Sequence, residues 1–367
     1  MSQVLEHYQY LHTIPELGFE EVKTSAYLAQ KLKEAGFSIK EKVNNTTGIV
    51  ATLDSGVPGP TLALRADMDA LGHVIDGKHC ALHTCGHDAH SSMVLSAAQE
   101  LVADGAVKKG QLRIIFQPAE ELGTGALAMI EGGAIDGVDM IVGLHLRPVE
   151  ECRMGEAIPA MYYSASATIK ADIKGVPAHG ARPHLGINAV DAAVCAINAV
   201  NTIRMNPGMS YSAKATKFIC DSGVTNAIPA EATVYWDMRA QHNKTMDGLK
   251  EKAFNAIEHG VASVGAKVEM VLDKDIPAAE LNDEMTQLIA QSIKEVLGEK
   301  GLKAPATTPG GEDFFFYTRH NPKLKAGFMG LGVDLEPGLH HPAMHFNTAA
   351  LENGVSILKK CVQKVLG

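Results

Sequence analysis

The chain has 367 residues, of which 46% are hydrophobic and 20% charged, with a formal net charge of -9. That length is more than one ordinary core fills, so two domains are expected, and the acidic balance excludes the basic face that nucleic acid requires. No run approaches the roughly 18 apolar residues of a membrane span, and the start, MSQVLEHYQYLH, has no basic stretch followed by an apolar one, so no secretory signal is read there.

In chain order, residues 5–11 and 22–35 read as helices, the second closed by Gly36. HTIPELGFEE, residues 12–21, lies between them. Residues 48–53 and 61–65 read as strands joined by the turn SGVPGP. ALRADMDAL then places Asp67 and Asp69 at a strand's carboxyl end, where ligands bind in open α/β sheets; two turn-forming aspartates are the plainer alternative. The connection 72–83 is short and reads as a surface loop carrying His73 and His79.

LHTCGHDAH follows, with His83, Cys85, His87 and His90 around Asp88. Thiolate and imidazole are the ligands that borderline-soft divalent metals prefer. On an extended segment Cys85 and His87, two apart, point to one side. A helix over 89–103 is expected from Met93, Val94, Ala97, Ala98 and Leu101. A buried, inert cysteine is the ordinary alternative. Residues 111–116 suit a buried strand and lead into QPAEE, where Pro118, Glu120 and Glu121 fit the first turn of a helix. Residues 140–146 form another apolar strand with His145 near its end. Three strand ends thus deliver Asp67 and Asp69, Glu120 and Glu121, and His145, the material of a two-metal site.

The character changes after residue 164. A strand (165–173), the loop GVPAHGARPHLGINA, a helix (189–203), two strands (213–220 and 232–239), a helix (245–263) and a strand (267–272) follow in the order β-α-β-β-α-β, the ferredoxin-like pattern. Residues 165–277 are read as an inserted α+β domain, and 1–164 with 278–367 as the catalytic, metal-binding domain. A helix over 282–297 precedes TPGGEDFFF and GLGVDLEPGLHHPAMHFN, and a last helix covers 348–366. The cysteines, Cys80, Cys85, Cys152, Cys195, Cys220 and Cys361, are scattered rather than spaced as a disulfide framework, which suits a reducing cytoplasm.

Taken together, HTIPELGFEE, LRADMDAL, HTCGHDAH, FQPAEE, VGLHLRP, HGARPHLGINA, GVTNAIP, GGEDF and GLHHP resemble the M20 metallopeptidase clan. More narrowly they resemble its aminoacylase and hippurate-hydrolase-like amidohydrolases, which include the plant auxin-conjugate hydrolases. The resemblance implies an open mixed α/β sheet with helices on both faces, a zinc-exopeptidase-like catalytic domain, with the inserted domain as lid and dimerisation surface. It implies two divalent metal ions, zinc, manganese or cobalt, held by Cys85, His87, Glu121, His145 and His340, the last preferred over His341 because the ligand follows Leu. It implies Glu120 as general base, Asp69 as the carboxylate behind the metals, and His179 and Asn226 as substrate or oxyanion contacts. Arg182, beside His179, is a candidate partner for a substrate carboxylate, since guanidinium pairs well with carboxylate, with a solvated loop charge as the plainer alternative; Arg239 is a second candidate.

The implied activity is cleavage of an N-acyl amino acid or related conjugate by a metal-activated water. Dipeptidase or carboxypeptidase chemistry on the same metals is the alternative, and a metal-bearing amide-binding protein without turnover is the alternative from another class. The expected partners are a small-molecule substrate and a second copy of the chain, with no nucleic acid or membrane. Gly72 stands where the family usually has Pro, the connection before HTCGHD is shorter, and Gly311 replaces Ser in GGEDF. These departures mean that substrate identity does not carry over from relatives.

Overall fold

A computed structural model describes residues 2–367. The chain divides into two compact units, residues 2–162 with 280–307 and 313–367, and residues 163–279 with 308–312.

The first unit is built on a seven-stranded mixed sheet. Its spatial order is Ser38–Lys40, Ile49–Asp54, Gln111–Gln117, Thr61–Asp67, Met140–Pro148, Lys325–Leu335 and Ala157–Ile158. The four inner strands run parallel and the outer ones pair antiparallel. Thr61–Asp67 is flanked on one side by the next parallel strand of the chain and on the other by the one after that. The winding direction therefore reverses at its carboxyl end, which opens a crevice there.

Side-chain alternation sorts the two faces of this sheet. Leu62, Leu64, Ala66, Ile114, Phe116, Val142, Leu144, Met329 and Leu331 enter one core. The helices Gln3–His12, Val22–Glu34, His87–Ala103, Asp283–Leu297 and Leu351–Leu366 supply the rest of that core. The intervening residues on the same strands include Arg65, Asp67, Gln117 and His145, all buried. The sheet thus has a hydrocarbon face and a face that carries polar chemistry toward its carboxyl end. Gly143 belongs to the second face, where a Cβ would lie 2.6 Å from the Phe328 ring.

Three local expectations change, and one strand was not expected. Residues 72–83 are not a plain loop: Leu71–Ile75 and Lys78–Leu82 pair as an antiparallel hairpin. Its tip, Asp76-Gly77, has φ of +51° and +74°, the backbone a two-residue type I′ turn demands, and Asp-Gly is its sequence signature. Cys85 and His87 do not lie on an extended segment. Gly86 takes φ +87° and His87 is already the first residue of its helix. Pro118, Glu120 and Glu121 do not open a helix either: the helix starts at Gly125, and Ala119 has φ +52°. Lastly, Lys325–Leu335, which no sequence pattern marked, is an inner strand; its glycines 327, 330 and 332 hid the apolar pattern while allowing close approach to Ile289, Arg147 and Arg153.

The second unit is a four-stranded antiparallel sheet in the order Tyr211–Ile219, Glu231–Ala240, Ala165–Lys174, Lys267–Ile276. The helices Ala189–Asn201 and Asn243–Ala262 cover one face. Ile169, Ala171, Val234, Trp236 and Met238 alternate inward to meet Ala193, Ala196, Leu249 and Ile257. The helices cross closely because Gly260 lies against the Ala196 backbone, 2.8 Å from where a Cβ would sit.

Candidate metal centre

At the carboxyl end of the inner strands of the first unit, donor atoms from several stretches of chain converge. One group is Cys85, His87 and His145; a second is Cys85, Glu121 and His340; a third is His87, Glu120 and Glu121, each with its ligand atoms within 4.8 Å of one another. Cys85 Sγ is 3.4 Å from His145 Nε2. Glu121 Oε1 is 3.9 Å from His87 Nε2 and 3.5 Å from His340 Nε2. All five residues expected as ligands are thus brought together, and Glu120 stands with them, its Oε2 4.0 Å from His87 Nε2.

The tautomers follow from the hydrogen bonds. His145 Nδ1–H donates to the Leu146 carbonyl at 2.7 Å, which leaves Nε2 as a lone-pair donor toward Cys85. His87 is fixed by Asp69, with Nδ1 to Oδ1 at 3.0 Å. The other oxygen of Asp69 accepts the Glu121 amide at 3.0 Å, so one carboxylate orients two donors. This is the outer-shell arrangement of metal-bound histidines. His90 is not in the donor group with Cys85. Its Nε2 accepts the Leu146 amide at 3.0 Å and its Nδ1–H donates to Asp67 at 2.7 Å.

Behind Asp67 lies Arg65, fully buried, which donates to Asp67 at 2.6 Å, Asp313 at 3.0 Å and Gln117 at 2.9 Å. Burial lifts the Asp313 carboxyl to about 6, against the pull of Arg65. At Asp67 burial also pushes upward, but His87, His90 and Arg65 outweigh it and hold the carboxylate well below its usual range. Its members stand in stretches that carry the family resemblance, LRADMDAL, FQPAEE and GGEDF, but no stretch by itself shows that they meet. Arg65 and Asp67 flank one strand position, but their partner Asp313 is 248 residues away from Arg65.

The electrostatics call for a cation. Burial pushes the Cys85 thiol well up, and the Glu121 carboxylate adds to this. At His87 burial works downward, but the charges of Asp67 and Cys85 and the Asp69 hydrogen bond prevail and raise it well above its ordinary value. Burial, with His90 and Arg147 adding, holds His145 well below its ordinary value, in the neutral form a metal needs. His87 Nε2 and Glu121 Oε1 are buried with no hydrogen-bond partner. Unpaired buried polar atoms are costly, and two that face each other among a thiol and imidazoles fit a divalent ion. His83, also buried, stands outside these groups.

The remaining candidates lie in the second unit. A two-residue ladder pairs His179 with Ala227, next to Asn226, whose carbonyl accepts the Gly180 amide at 2.7 Å. His179, Asn226 and Arg182 are all exposed. Arg239 is held by Asp237 through two hydrogen bonds of 3.0 and 2.9 Å. In the first unit His73 shares a 2.8 Å hydrogen bond with Thr84, and His79 is exposed.

A doubly wound sheet with thiolate, imidazole and carboxylate donors gathered at its switch point is the architecture of a metal-dependent hydrolase. Residues 63–364 match the model of peptidase family M20/M25/M40, and the chain belongs to that family. It is 31% identical over all of its length to N-acetyl-L-cysteine deacetylase of Bacillus subtilis, covering 88% of that protein. It is 30% identical to hippurate hydrolase of Campylobacter jejuni, over 97% of this chain and 94% of that one. Among solved structures it resembles a dinuclear metal-binding M20 peptidase from Bacillus subtilis, with a TM-score of 0.78 and 25% identity, covering 99% and 97% of the two chains. The protein is a hydrolase of amide bonds.

Proposed function

We propose that the protein hydrolyses the amide bond of N-acyl amino acids or related amino-acid conjugates, using two divalent cations held by Cys85, His87, Glu121, His145 and His340. The observation that carries this reading is the convergence of those five residues with Glu120 at one strand-end crevice. The relatives named as deacetylase and hippurate hydrolase support the substrate class. Cysteine and histidine favour zinc, while the carboxylates admit manganese or cobalt.

When bound, the cations supply Lewis acidity to the amide carbonyl and to water. Glu120, adjacent in sequence to the ligand Glu121, takes the proton from the attacking water as its oxygen adds to the carbonyl carbon. It then gives that proton to the nitrogen as the C–N bond breaks, leaving a carboxylic acid and a free amine. Asp69 holds His87 in the tautomer that presents Nε2. His179 donates to the developing oxyanion, with Asn226 beside it, and Arg182 pairs with the substrate carboxylate. In this reading the second unit acts as lid and as dimer surface. Its edge strand Tyr211–Ile219 exposes Phe218 at 44% and Ile219 at 52%, an edge that natural sheets tend to cover. All six cysteines are free thiols, in keeping with a cytoplasmic setting.

The test is turnover of the metal-reconstituted enzyme on acetylated and benzoylated amino acids against unblocked dipeptides. Preference for dipeptides would move the assignment to a dipeptidase. Glu120→Gln is expected to lower kcat about 10²–10⁴-fold with bound metal unchanged; equal turnover by the variant would remove Glu120 as base.

A further inference from the structure

Glu120 and Glu121 are neighbours, yet both carboxylates reach the same donor group. In a continuing strand, neighbouring side chains point to opposite faces. The chain avoids this by leaving the strand at Gln117 and turning through Ala119 at φ +52°, a conformation that is unfavourable for a residue with a Cβ. Something must hold it there.

The Ala119 amide donates to Glu21 Oε1 at 2.9 Å. Two residues on, the Glu121 amide donates to Asp69 Oδ2. Glu21 is wholly buried. Its second oxygen accepts the Thr47 hydroxyl, the Thr47 carbonyl accepts Ser25 Oγ at 2.6 Å, and the Ser25 amide donates to the Glu21 carbonyl at 2.9 Å. The carboxylate is therefore itself clamped at both ends. A wholly buried carboxylate is expensive as mere packing. On the far side of the turn, the Gly125 amide donates to the Ala119 carbonyl at 3.2 Å, and a Cβ on Gly125 would lie 1.6 Å from the Pro118 carbonyl oxygen.

We infer that Glu21 is a positioning residue, which pins Ala119 in its left-handed conformation so that Glu120 and Glu121 serve one site. The inference rests on the base and ligand roles proposed above, and Glu21 itself touches neither substrate nor cation.

Glu21→Ala is expected to lower kcat about 10–100-fold with KM little changed, and to weaken Co²⁺ binding to the apoprotein, read from visible absorption. Glu21→Gln keeps an oxygen for the Ala119 amide and restores most of both. Adding Ala119→Gly to Glu21→Ala also recovers kcat, because glycine holds positive φ without a Cβ penalty. Parent-like kcat and Co²⁺ affinity in Glu21→Ala, or a loss that Ala119→Gly leaves untouched, would overturn the inference. If Glu21→Ala does not fold, Thr47→Val frees one end of the carboxylate and is expected to give a smaller loss, again recovered by Ala119→Gly; no loss would overturn it equally. The Co²⁺ titration needs no substrate, so a wrong substrate class leaves the role of Glu21 testable on its own.

Discussion

The metal centre of the first unit and the His179–Asn226 corner of the second use the same side-chain types in opposite ways. Around Cys85 the imidazoles His87 and His145 are buried and locked, the first by Asp69 and the second by the Leu146 carbonyl, and Asp67 behind them is held by Arg65 and His90, whereas the His340 side chain is 56% exposed. His179 and Asn226 are exposed; a two-residue ladder and the Gly180–Asn226 backbone hydrogen bond join their segments, and His179 Nδ1 accepts the Ala181 amide at 3.1 Å. Ligands must meet a cation at fixed distances, so their rotamers are settled before it arrives. A group that meets a varying substrate needs only to stay accessible. On the proposed roles, burial sets Cys85, His87 and His145 apart from the exposed substrate candidates, while His340 shows that exposure alone does not exclude a ligand.

The comparison breaks most sharply at Cys85. Cys85→Ala is expected to lower bound metal per subunit, measured by elemental analysis, and to cost about 10³-fold or more in kcat. An unchanged metal content would remove Cys85 from the ligands. Against it stands His179→Ala, for which full metal content and a loss of roughly 10²–10³-fold in kcat are expected, the usual effect of removing one oxyanion donor. Metal loss in that variant would erase the distinction between the two regions.

A stability test sharpens the same point. Arg65→Met leaves Asp67 and Asp313 buried without their cation, and about 3–5 kcal/mol of unfolding free energy should disappear in denaturant titration. Arg182→Met, on the exposed corner, should change stability by less than about 0.5 kcal/mol.

The smallest effect is expected at His12. Its Nδ1–H donates to Asp88 at 2.7 Å, and that hydrogen bond raises the His12 pKa above its ordinary value. The stabilisation is fully present below the unfolded value, about 6.5, and fades as pH rises through the higher folded value. The melting temperature of His12→Gln should therefore trail the parent more at about pH 6 than at about pH 9. A gap that widens with pH would contradict the charged pairing.

Much of the fold was legible because periodicity is local. Alternation marked the strands Ala165–Lys174 and Glu231–Ala240, and three-to-four spacing marked the helices His87–Ala103 and Leu351–Leu366. The hairpin at residues 71–82 carries its signal in Asp76-Gly77 alone, too short a stretch for periodicity to register. The strand Lys325–Leu335 was hidden by glycines whose purpose lies in neighbouring elements.

For the site, the sequence by itself determined which side chains are available. A thiol, imidazoles and paired carboxylates at strand ends are covalent facts, and their order along the chain matched a known family. Only the tertiary structure decided which of them share a point in space. It drew His340 to Glu121 and assigned His90 to Asp67 rather than to the donors around Cys85. It also turned Ala119 into the conformation that aims two adjacent glutamates the same way. Those outcomes depend on contacts between residues tens to hundreds of positions apart, and no local pattern encodes them.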